Sequence, residues 1–226
     1  MNNKLIARTE NVSRAFNVSG NTIYAIRQVS IDVPEKSFII LRGRSGSGKT
    51  TLMNIIGALD RADSGRVFYG DIEIGMLSEH QRTLIRRKEY GFVFQSVALV
   101  SFMTAYENVE LCLKVSGCEV NSIKKRVEEC MDLVGLSKRM HHMAYELSGG
   151  EQQRVGIARA IAHKPSVIFA DEPTAELDSR MGLQIVKLFK DLVEKENVTM
   201  FMTSHDPAIM EVADYVYVLE DGSIIN

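Results

Sequence analysis

The stretch that decides the fold is Ser37–Thr51, SFIILRGRSGSGKTT, in which a short apolar run leads directly into a glycine-rich loop. Beyond the loop, apolar residues recur at the spacing of one helix face: Leu52, Ile55, Ile56 and Leu59. This order predicts a buried strand, a tight loop and an amphipathic helix. It favours an α/β fold.

The loop Gly43–Thr50 matches the pattern G-x-x-x-x-G-K-[ST]. Its glycines let backbone N–H groups close around phosphate oxygens, and the helix that begins near Lys49 points its positive end at them. We expect Lys49 to bridge the β- and γ-phosphates of a nucleotide and Thr50 to ligate Mg²⁺. The predicted phosphate-binding residues are Gly43, Arg44, Ser45, Gly46, Ser47, Gly48, Lys49, Thr50 and Thr51.

A second apolar strand, Ser166–Ala170, ends in two adjacent acids, Asp171 and Glu172. We expect Asp171 to hold the hydration shell of Mg²⁺. In-line hydrolysis needs a base on the side opposite the leaving group, and Glu172 is predicted to polarise the attacking water there. Uninterrupted apolar strands such as Val167–Ala170 also indicate a parallel sheet that is buried on both faces.

A third motif, Leu147–Glu151 (LSGGE), opens a helical run with one serine and two glycines. This helix N-terminus is a second predicted anion-binding site. The phosphates of a single bound nucleotide are already held by Gly43–Thr50 of the same chain. Both sites therefore act on one nucleotide only if a second subunit contributes the LSGGE segment.

The pattern changes along the chain in a way that indicates an insertion. At the N-terminus, the alternation in Val29–Val33 (VSIDV) predicts a half-exposed, antiparallel strand ended by Pro34. Between Gln95 and about His163, strand signals vanish and helical periodicity replaces them. A helical insertion in an α/β core accounts for this change.

The three motifs together resemble those of the ATP-binding cassette (ABC) family over essentially the whole chain. The segments IIGALDRADSGRV and TAYENVEL are similar to those of the macrolide-exporter and lipoprotein-release ATPases, the MacB and LolD types. The resemblance implies a P-loop NTPase (RecA-like) core with a mostly parallel sheet, an N-terminal antiparallel β subdomain and an inserted α-helical subdomain. Residues 1–226 would form a single nucleotide-binding domain, with 1–94 and 164–226 as β subdomain and core and 95–163 as the helical subdomain.

The resemblance also implies roles for further residues. Gln95, in GFVFQ, matches the glutamine that senses the γ-phosphate and Mg²⁺, and His205, in TSHD, matches the switch histidine. The implied catalytic residues are Glu172, His205 and Gln95, and the implied metal ligands are Thr50, Gln95 and Asp171. A second subunit would contribute Ser148, Gly149, Gly150, Glu151 and the D-loop aspartate Asp178.

Two positions are less well defined. An aromatic ring is expected to stack on adenine upstream of the phosphate loop. Phe16 best fits the position that the family uses, Tyr24 is the second candidate, and either ring could equally be ordinary packing. Glu176 lies in the D-loop, where a small residue is usual in the family, and adds negative charge near the expected dimer interface.

The leading hypothesis is an ATP-hydrolysing ABC transporter subunit that forms an ATP-dependent homodimer and drives a separate membrane permease, in export or mechanotransmission. The permease's coupling helix is expected in a groove near Gln95–Asn108, with Phe102, Met103 and Tyr106 as apolar contacts. One alternative is an FtsE-like ATPase that gates a membrane partner without transport. Another is a soluble cassette acting on DNA or ribosomes.

Composition narrows these choices. The chain has 226 residues, 27 Lys+Arg against 29 Asp+Glu and a formal net charge of −2, which gives no global attraction to nucleic acid. Its three cysteines fit neither a disulfide framework nor a CxxC metal site. The N-terminal residues lack an apolar signal segment, and the apolar runs are strand-length. We expect a cytoplasmic chain, held at the inner face of the cell membrane by the permease.

Overall fold

The computed structural model describes residues 4–175 and 177–225. Its strands are β1 (Leu5–Val18), β2 (Asn21–Pro34), β3 (Phe38–Arg42), β4 (Ser64–Tyr69), β5 (Ile72–Glu73), β6 (Tyr90–Val93), β7 (Val167–Asp171), β8 (Thr199–Ser204), β9 (Tyr215–Glu220) and β10 (Ser223–Ile224). Its α-helices are α1 (Lys49–Ile56), α2 (Glu79–Glu89), α3 (Ala105–Ser116), α4 (Val120–Leu133), α5 (Gly149–Ile161), α6 (Ser179–Glu196) and α7 (Pro207–Met210). Short 3₁₀ helices cover Ile74–Met76, Ser137–Arg139 and Ala144–Glu146.

The N-terminal strands form an antiparallel sheet in the order β2-β1-β4-β5. Along β2, Val29, Ile31 and Val33 are buried, whereas the intervening Ser30 and Asp32 are exposed. The predicted half-exposed strand is therefore confirmed, and it ends at Pro34 as expected.

The second sheet has the order β10-β9-β3-β8-β7-β6, and its neighbouring strands are parallel except for the antiparallel pair β10 and β9. Along β3, Phe38 and Ile40 pack into one buried cluster, and Ile39 and Leu41 pack into another on the opposite face. The parallel sheet buried on both faces is thus confirmed. The strand–loop–helix predicted from Ser37–Thr51 is β3, the phosphate loop and α1.

Strand order places the predicted site. The strand β8 lies between β3 and β7, and all three run in the same direction. Arg42 is opposite Ser204, and Asp171 is opposite Thr203. The phosphate loop after β3 and the acids at the end of β7 therefore lie at one edge of the sheet.

The segment 95–163 contains α3, α4 and α5, and in its described residues no strand is present beyond a single bridge between Thr104 and Met143. These helices share one buried cluster with the sheet face formed by Phe38 and Ile40. Capping boxes begin α3 at Thr104 and α5 at Ser148, which fixes where both helices start.

Among residues 4–175 and 177–225, no helix combines the length and the apolar character that crossing a bilayer requires.

Candidate functional site

The phosphate loop is closed around Lys49. The side chain of Lys49 is 5% exposed, and its ammonium group donates to the carbonyl oxygens of Gly43 (3.0 Å) and Arg44 (3.1 Å). Gly48 has φ +104°, and a Cβ added there would meet the Ala25 carbonyl oxygen. Only glycine therefore fits at Gly48 without displacing the neighbouring backbone.

The helix α1 begins at this loop without a side-chain cap. Gly48 occupies the N-cap position, so no side chain accepts from the first N–H groups of α1. By contrast, Ser148 and Asp178 accept from backbone N–H groups at the starts of α5 and α6. The N-terminus of α1 is therefore available to an anionic ligand, and phosphate fits this requirement.

A cleft of about 460 Å³ opens beside the loop. It brings together residues from four parts of the chain that were predicted to act on one nucleotide, and Ala25 joins them. Its lining residues are Phe16, Ala25, Ser45, Gly46, Gly48, Lys49, Thr50, Thr51, Gln95, Asp171 and Glu172. Gln95, which follows β6, is exposed at the cleft and not buried behind it.

The first acid, Asp171, is held by two hydroxyl groups. The Thr50 hydroxyl donates to Oδ2 of Asp171 (2.9 Å), and the buried Thr203 hydroxyl donates to Oδ1 (2.7 Å). Thr203 Oγ1 also accepts from the backbone N–H of Glu172 (2.9 Å). Sequence reasoning missed Thr203. Its only signal was its place two residues before His205, at the end of the predicted strand VTMFMT.

The second acid, Glu172, contacts both the phosphate loop and His205. Its Oε1 lies 3.2 Å from Lys49 Nζ, and its Oε2 lies 3.3 Å from Nδ1 of His205. Glu172 has φ +42°, a left-handed conformation that costs a non-glycine residue about 1–2 kcal/mol. Strained backbone of this kind is common at functional sites. Glu172 therefore contacts the one cation that lies inside the phosphate loop, Lys49.

His205 is 67% exposed and lies on the other side of the phosphate loop. It borders a recess of about 520 Å³, which Arg44, Ser45 and Gly46 also line. Ser45 and Gly46 border both the recess and the nucleotide cleft. His205 does not itself line the nucleotide cleft, but it contacts Glu172, which does.

The LSGGE segment lies outside the cleft lining. Ser148 is exposed at the start of α5, where its hydroxyl and its N–H both donate to Oε2 of Glu151 (2.9 Å each). These bonds, that of the backbone N–H first, lower the pKa of Glu151 below its usual value. A Cβ added at Gly149 would meet only open space. The segment therefore presents an accessible helix N-terminus rather than a wall of the cleft.

Asp178 is close to the LSGGE segment. Its Oδ1 accepts from the backbone N–H of Met181 (2.9 Å), which caps α6. A Cβ added at Gly150 would lie 2.7 Å from Cε of Met181. The two elements predicted to serve a second nucleotide thus adjoin one another. Glu176, the departure in the D-loop, lies outside the described residues.

Phe16 and Tyr24 are on neighbouring strands but have different surroundings. Phe16 is opposite Ile23 and lines the cleft, whereas Tyr24 is opposite Ala15 and is not among the lining residues. Opposed residues of paired strands share a face, and successive residues alternate, so the two rings point to opposite faces of the β1–β2 pair. This geometry favours Phe16 over Tyr24 as the adenine-stacking ring.

The residues expected to contact the permease, Phe102, Met103 and Tyr106, do not line the apolar groove that lies beside the helical segment. Phe102 is 78% exposed, and the ring of Tyr106 stacks on His141 at 6.0 Å between centroids. A groove of about 450 Å³ lies instead between α2, β6, α3 and α5. Its lining is Leu59, Thr83, Arg86, Arg87, Tyr90, Gly91, Phe92, Phe94, Ala98, Cys112, Val115, Ser116, Arg159, Ala160 and His163, so the segment Gln95–Asn108 contributes Ala98 alone.

The donor set in the cleft suits Mg²⁺. Thr50, Gln95 and Asp171 offer hydroxyl, amide and carboxylate oxygens, which are hard ligands. Within residues 4–175 and 177–225, no cluster of three or more His, Cys, Asp or Glu could hold a metal by itself. A site with one carboxylate fits Mg²⁺, because that ion usually keeps waters and takes further oxygens from substrate phosphates.

Comparison with known proteins identifies the family. The model of the ABC transporter family matches residues 26–175. The chain is 38% identical to the lipoprotein-releasing system ATP-binding protein LolD of Treponema pallidum, over 99% of both chains. It is 38% identical to the macrolide export ATP-binding/permease protein MacB of Wolinella succinogenes, covering 99% of this chain but 34% of MacB.

A solved structure gives the same answer. It is the dimeric post-hydrolysis state of the ATP-binding cassette MJ0796, bound to ADP and Pi, and it matches with a TM-score of 0.91, 37% identity and 97% coverage of both chains. MJ0796 comes from Methanocaldococcus jannaschii. The chain therefore belongs to the ABC transporter family, as an ATP-hydrolysing cassette of the group that includes LolD and MacB.

Proposed function

We propose that this chain powers a membrane permease through a head-to-tail homodimer that encloses two ATP molecules. The observation that carries the proposal is the division of the site residues. One chain gathers the phosphate loop, Gln95, Asp171 and Glu172 in a single cleft. Ser148, Gly149 and Asp178 are exposed outside that cleft, and Gly150 and Glu151 are half-buried beside them. A second copy would complete each cleft with those exposed elements.

Within each proposed site, Phe16 stacks on the adenine, and residues Gly43–Thr51 hold the phosphates. Lys49 already points its ammonium group into the loop, where it bonds two carbonyl oxygens and Glu172. An incoming γ-phosphate competes with the Glu172 carboxylate for this cation. Binding of ATP would therefore release Glu172 from Lys49 and free it to orient water.

Hydrolysis is then assigned to Glu172, with His205 and Gln95 in assisting roles. Glu172 polarises the attacking water, and His205, 3.3 Å away, holds the second carboxylate oxygen and contacts the γ-phosphate. Thr50, Gln95 and Asp171 would hold Mg²⁺, which supplies charge neutralisation to the phosphates when bound. Thr203 binds both the carboxylate of Asp171 and the backbone N–H of Glu172, and so orients the two acids relative to β8.

The helical segment 95–163 is assigned as the subdomain that carries the signature motif Ser148–Glu151, and 1–94 with 164–226 as β subdomain and core. Gln95 lies where the two parts join, between the nucleotide cleft and the α3 side of the molecule. Contacts of Gln95 with the γ-phosphate and Mg²⁺ would therefore turn nucleotide state into a rotation of the helical segment.

The permease contact is assigned to the apolar groove between α2, β6, α3 and α5. It offers Leu59, Phe92 and Val115 as apolar contacts, rimmed by the cations Arg86 and Arg87. A short cytoplasmic helix of the permease, apolar on one face and acidic at its ends, fits this lining. Such contacts would hold the chain at the cytoplasmic face of the membrane, where we propose that it serves export or mechanotransmission.

The composite site is tested by Ser148→Arg. The variant keeps its own cleft, so we expect ATP affinity close to that of the wild type but no hydrolysis, because the bulky cation blocks the partner's γ-phosphate contact. Wild-type turnover per chain should also rise with protein concentration. Ser122→Arg, at another exposed serine of the helical segment, is the matched control and should hydrolyse ATP normally. Normal turnover by Ser148→Arg would contradict the proposal.

The groove is tested by photo-crosslinking in intact cells. A benzophenone amino acid at Val115, which lines the groove, should form crosslinks to a polytopic membrane protein, mapped by mass spectrometry to one cytoplasmic segment. The same probe at Val120, which is more exposed but not part of the groove lining, is the control. Crosslinks only to ribosomal proteins or nucleic-acid-bound proteins would favour the soluble alternative.

A further inference from the structure

One face of the Phe16 ring is already covered by a cation. The guanidinium carbon of Arg14 lies 4.8 Å from the centroid of the Phe16 ring. The ring is nevertheless 42% exposed and lines the nucleotide cleft. One face is therefore occupied by Arg14, and the exposed part of the ring is available to a planar ligand in the cleft.

Arg14 is held in place by two carboxylates. Its Nε and Nη2 donate to Oδ2 and Oδ1 of Asp60 at 3.0 and 3.1 Å, and its Nη1 donates to Oδ1 of Asp63 at 2.7 Å. Paired, planar bonds of this kind fix the orientation of a guanidinium group as well as its position. The bond to Asp63 also raises the pKa of Arg14. The cation is thus oriented by the protein and not by the ligand.

The same carboxylates fix the backbone next to the ring. Oδ2 of Asp63 accepts from the backbone N–H of Ala15 at 2.7 Å, and this bond lowers the pKa of Asp63. Asp60 and Asp63 follow α1, the helix that begins at the phosphate loop. Residues 14–16 of β1 are therefore tied to the element that holds the phosphates.

From this arrangement we propose that Arg14 is a positioning residue for nucleotide recognition, which holds the ring of Phe16 at a fixed distance from the phosphate loop. The inference rests on the proposed stacking role of Phe16. A cation on one face of an aromatic ring contributes through the ring quadrupole, and immobilising the ring lowers the entropy lost when the base stacks on it. Arg14 would then affect binding of the base and leave binding of the phosphates unchanged.

Two ligands that differ only by adenosine separate these effects. Binding of ADP and of inorganic pyrophosphate, both with Mg²⁺, is measured by calorimetry, which also avoids turnover. For Arg14→Met we expect the Kd of ADP to rise about three- to tenfold, because a ring that is no longer held by Arg14 must be ordered when the base stacks on it. The Kd of pyrophosphate should be unchanged, which also shows that the phosphate loop is folded.

The chain offers a matched control in Arg27, whose guanidinium carbon lies 5.1 Å from the centroid of the Tyr24 ring. This second cation–π pair belongs to the same hairpin, but Tyr24 does not line the cleft. Arg27→Met should leave the affinity for both ligands unchanged. Asp63→Asn, which keeps Arg14 but weakens its fixation, should weaken ADP binding less than Arg14→Met does.

Fluorescence distinguishes failure of this inference from failure of the stacking role. The sequence has no tryptophan, so the indole introduced by Phe16→Trp is a unique reporter. ADP should quench its emission, and pyrophosphate should not. No response to ADP would overturn the stacking role of Phe16. A response to ADP, combined with unchanged ADP affinity in Arg14→Met or an equal loss for both ligands, would overturn the role of Arg14 alone.

Discussion

Thr203→Val isolates the hydrogen bonds that hold the two catalytic acids. Valine has nearly the same shape, so the substitution removes the donor to Asp171 and the acceptor for the Glu172 N–H without opening a cavity. A hydrogen bond to a charged group contributes about 1.5–3 kcal/mol, and an unsatisfied buried N–H costs about 1–3 kcal/mol. Since the two losses share one hydroxyl, we expect the free energy of unfolding to fall by about 2–4 kcal/mol.

The effect on hydrolysis should be larger than the effect on stability suggests. Asp171 and Glu172 would lose the hydrogen-bonding partner on β8 that they share, and small misplacements of catalytic groups lower turnover by up to about a hundredfold. We expect kcat for ATP to fall about ten- to a hundredfold while the Kd of ADP changes little. The measurements are steady-state hydrolysis and urea unfolding, both at 25 °C in the same buffer.

Thr199→Val provides the control on the same strand. Thr199 is equally buried, and its hydroxyl accepts from the backbone N–H of Lys36 at 2.9 Å, far from the acids. This variant should lose about 1–3 kcal/mol of stability but keep a normal kcat. If both variants have the same kcat after correction for the folded fraction, Thr203 is only structural and the reasoning about the acids is wrong.

Other predictions concern the phosphate loop and the stability at acidic pH. Gly48→Ala should abolish ATP binding because its Cβ meets the Ala25 carbonyl oxygen, whereas Gly46→Ala, with φ +79° but open space around its Cβ, should only weaken it; equal affinities by calorimetry would contradict the cradle geometry. Burial lowers the pKa of His163, so its contribution to stability is complete above the usual value of 6.5 and is lost as pH falls through the lower folded-state pKa. Urea unfolding between about pH 5 and 7 should show a smaller pH dependence in His163→Gln than in the wild type, and an unchanged slope would refute this assignment.

The parts of the site that depend on local sequence were predictable. The loop Gly43–Thr50 lies between β3 and α1 as predicted. Its signals, the glycines, the lysine and the apolar residues on either side, all lie close together in the sequence. The acids after β7 followed from a short apolar strand and from its pairing with the loop motif. The two-sided burial of β3 and β7 followed from their uninterrupted apolar composition.

The parts that depend on distant contacts were not predictable. Thr203 acts on Asp171 because β7 and β8 are neighbours, and no local pattern specifies that pairing. The groove is lined by Leu59, Cys112 and His163 from three separate segments, and no local pattern brings these segments together. The sequence therefore predicted only one continuous segment, Gln95–Asn108. Arg14 and Asp63 are 49 positions apart, and only their bond reveals the clamp on Phe16.

The central claim, a nucleotide site shared between two copies of the chain, is tested most directly by light scattering during size exclusion of Glu172→Gln. This variant should bind ATP without hydrolysing it, so closed dimers should accumulate. With ATP and Mg²⁺, we predict a shift from the 25.3 kDa monomer to a species of twice that mass, absent with ADP and absent when Ser148→Arg is added. A variant that retains bound ATP yet stays monomeric at every ATP concentration would contradict the shared site.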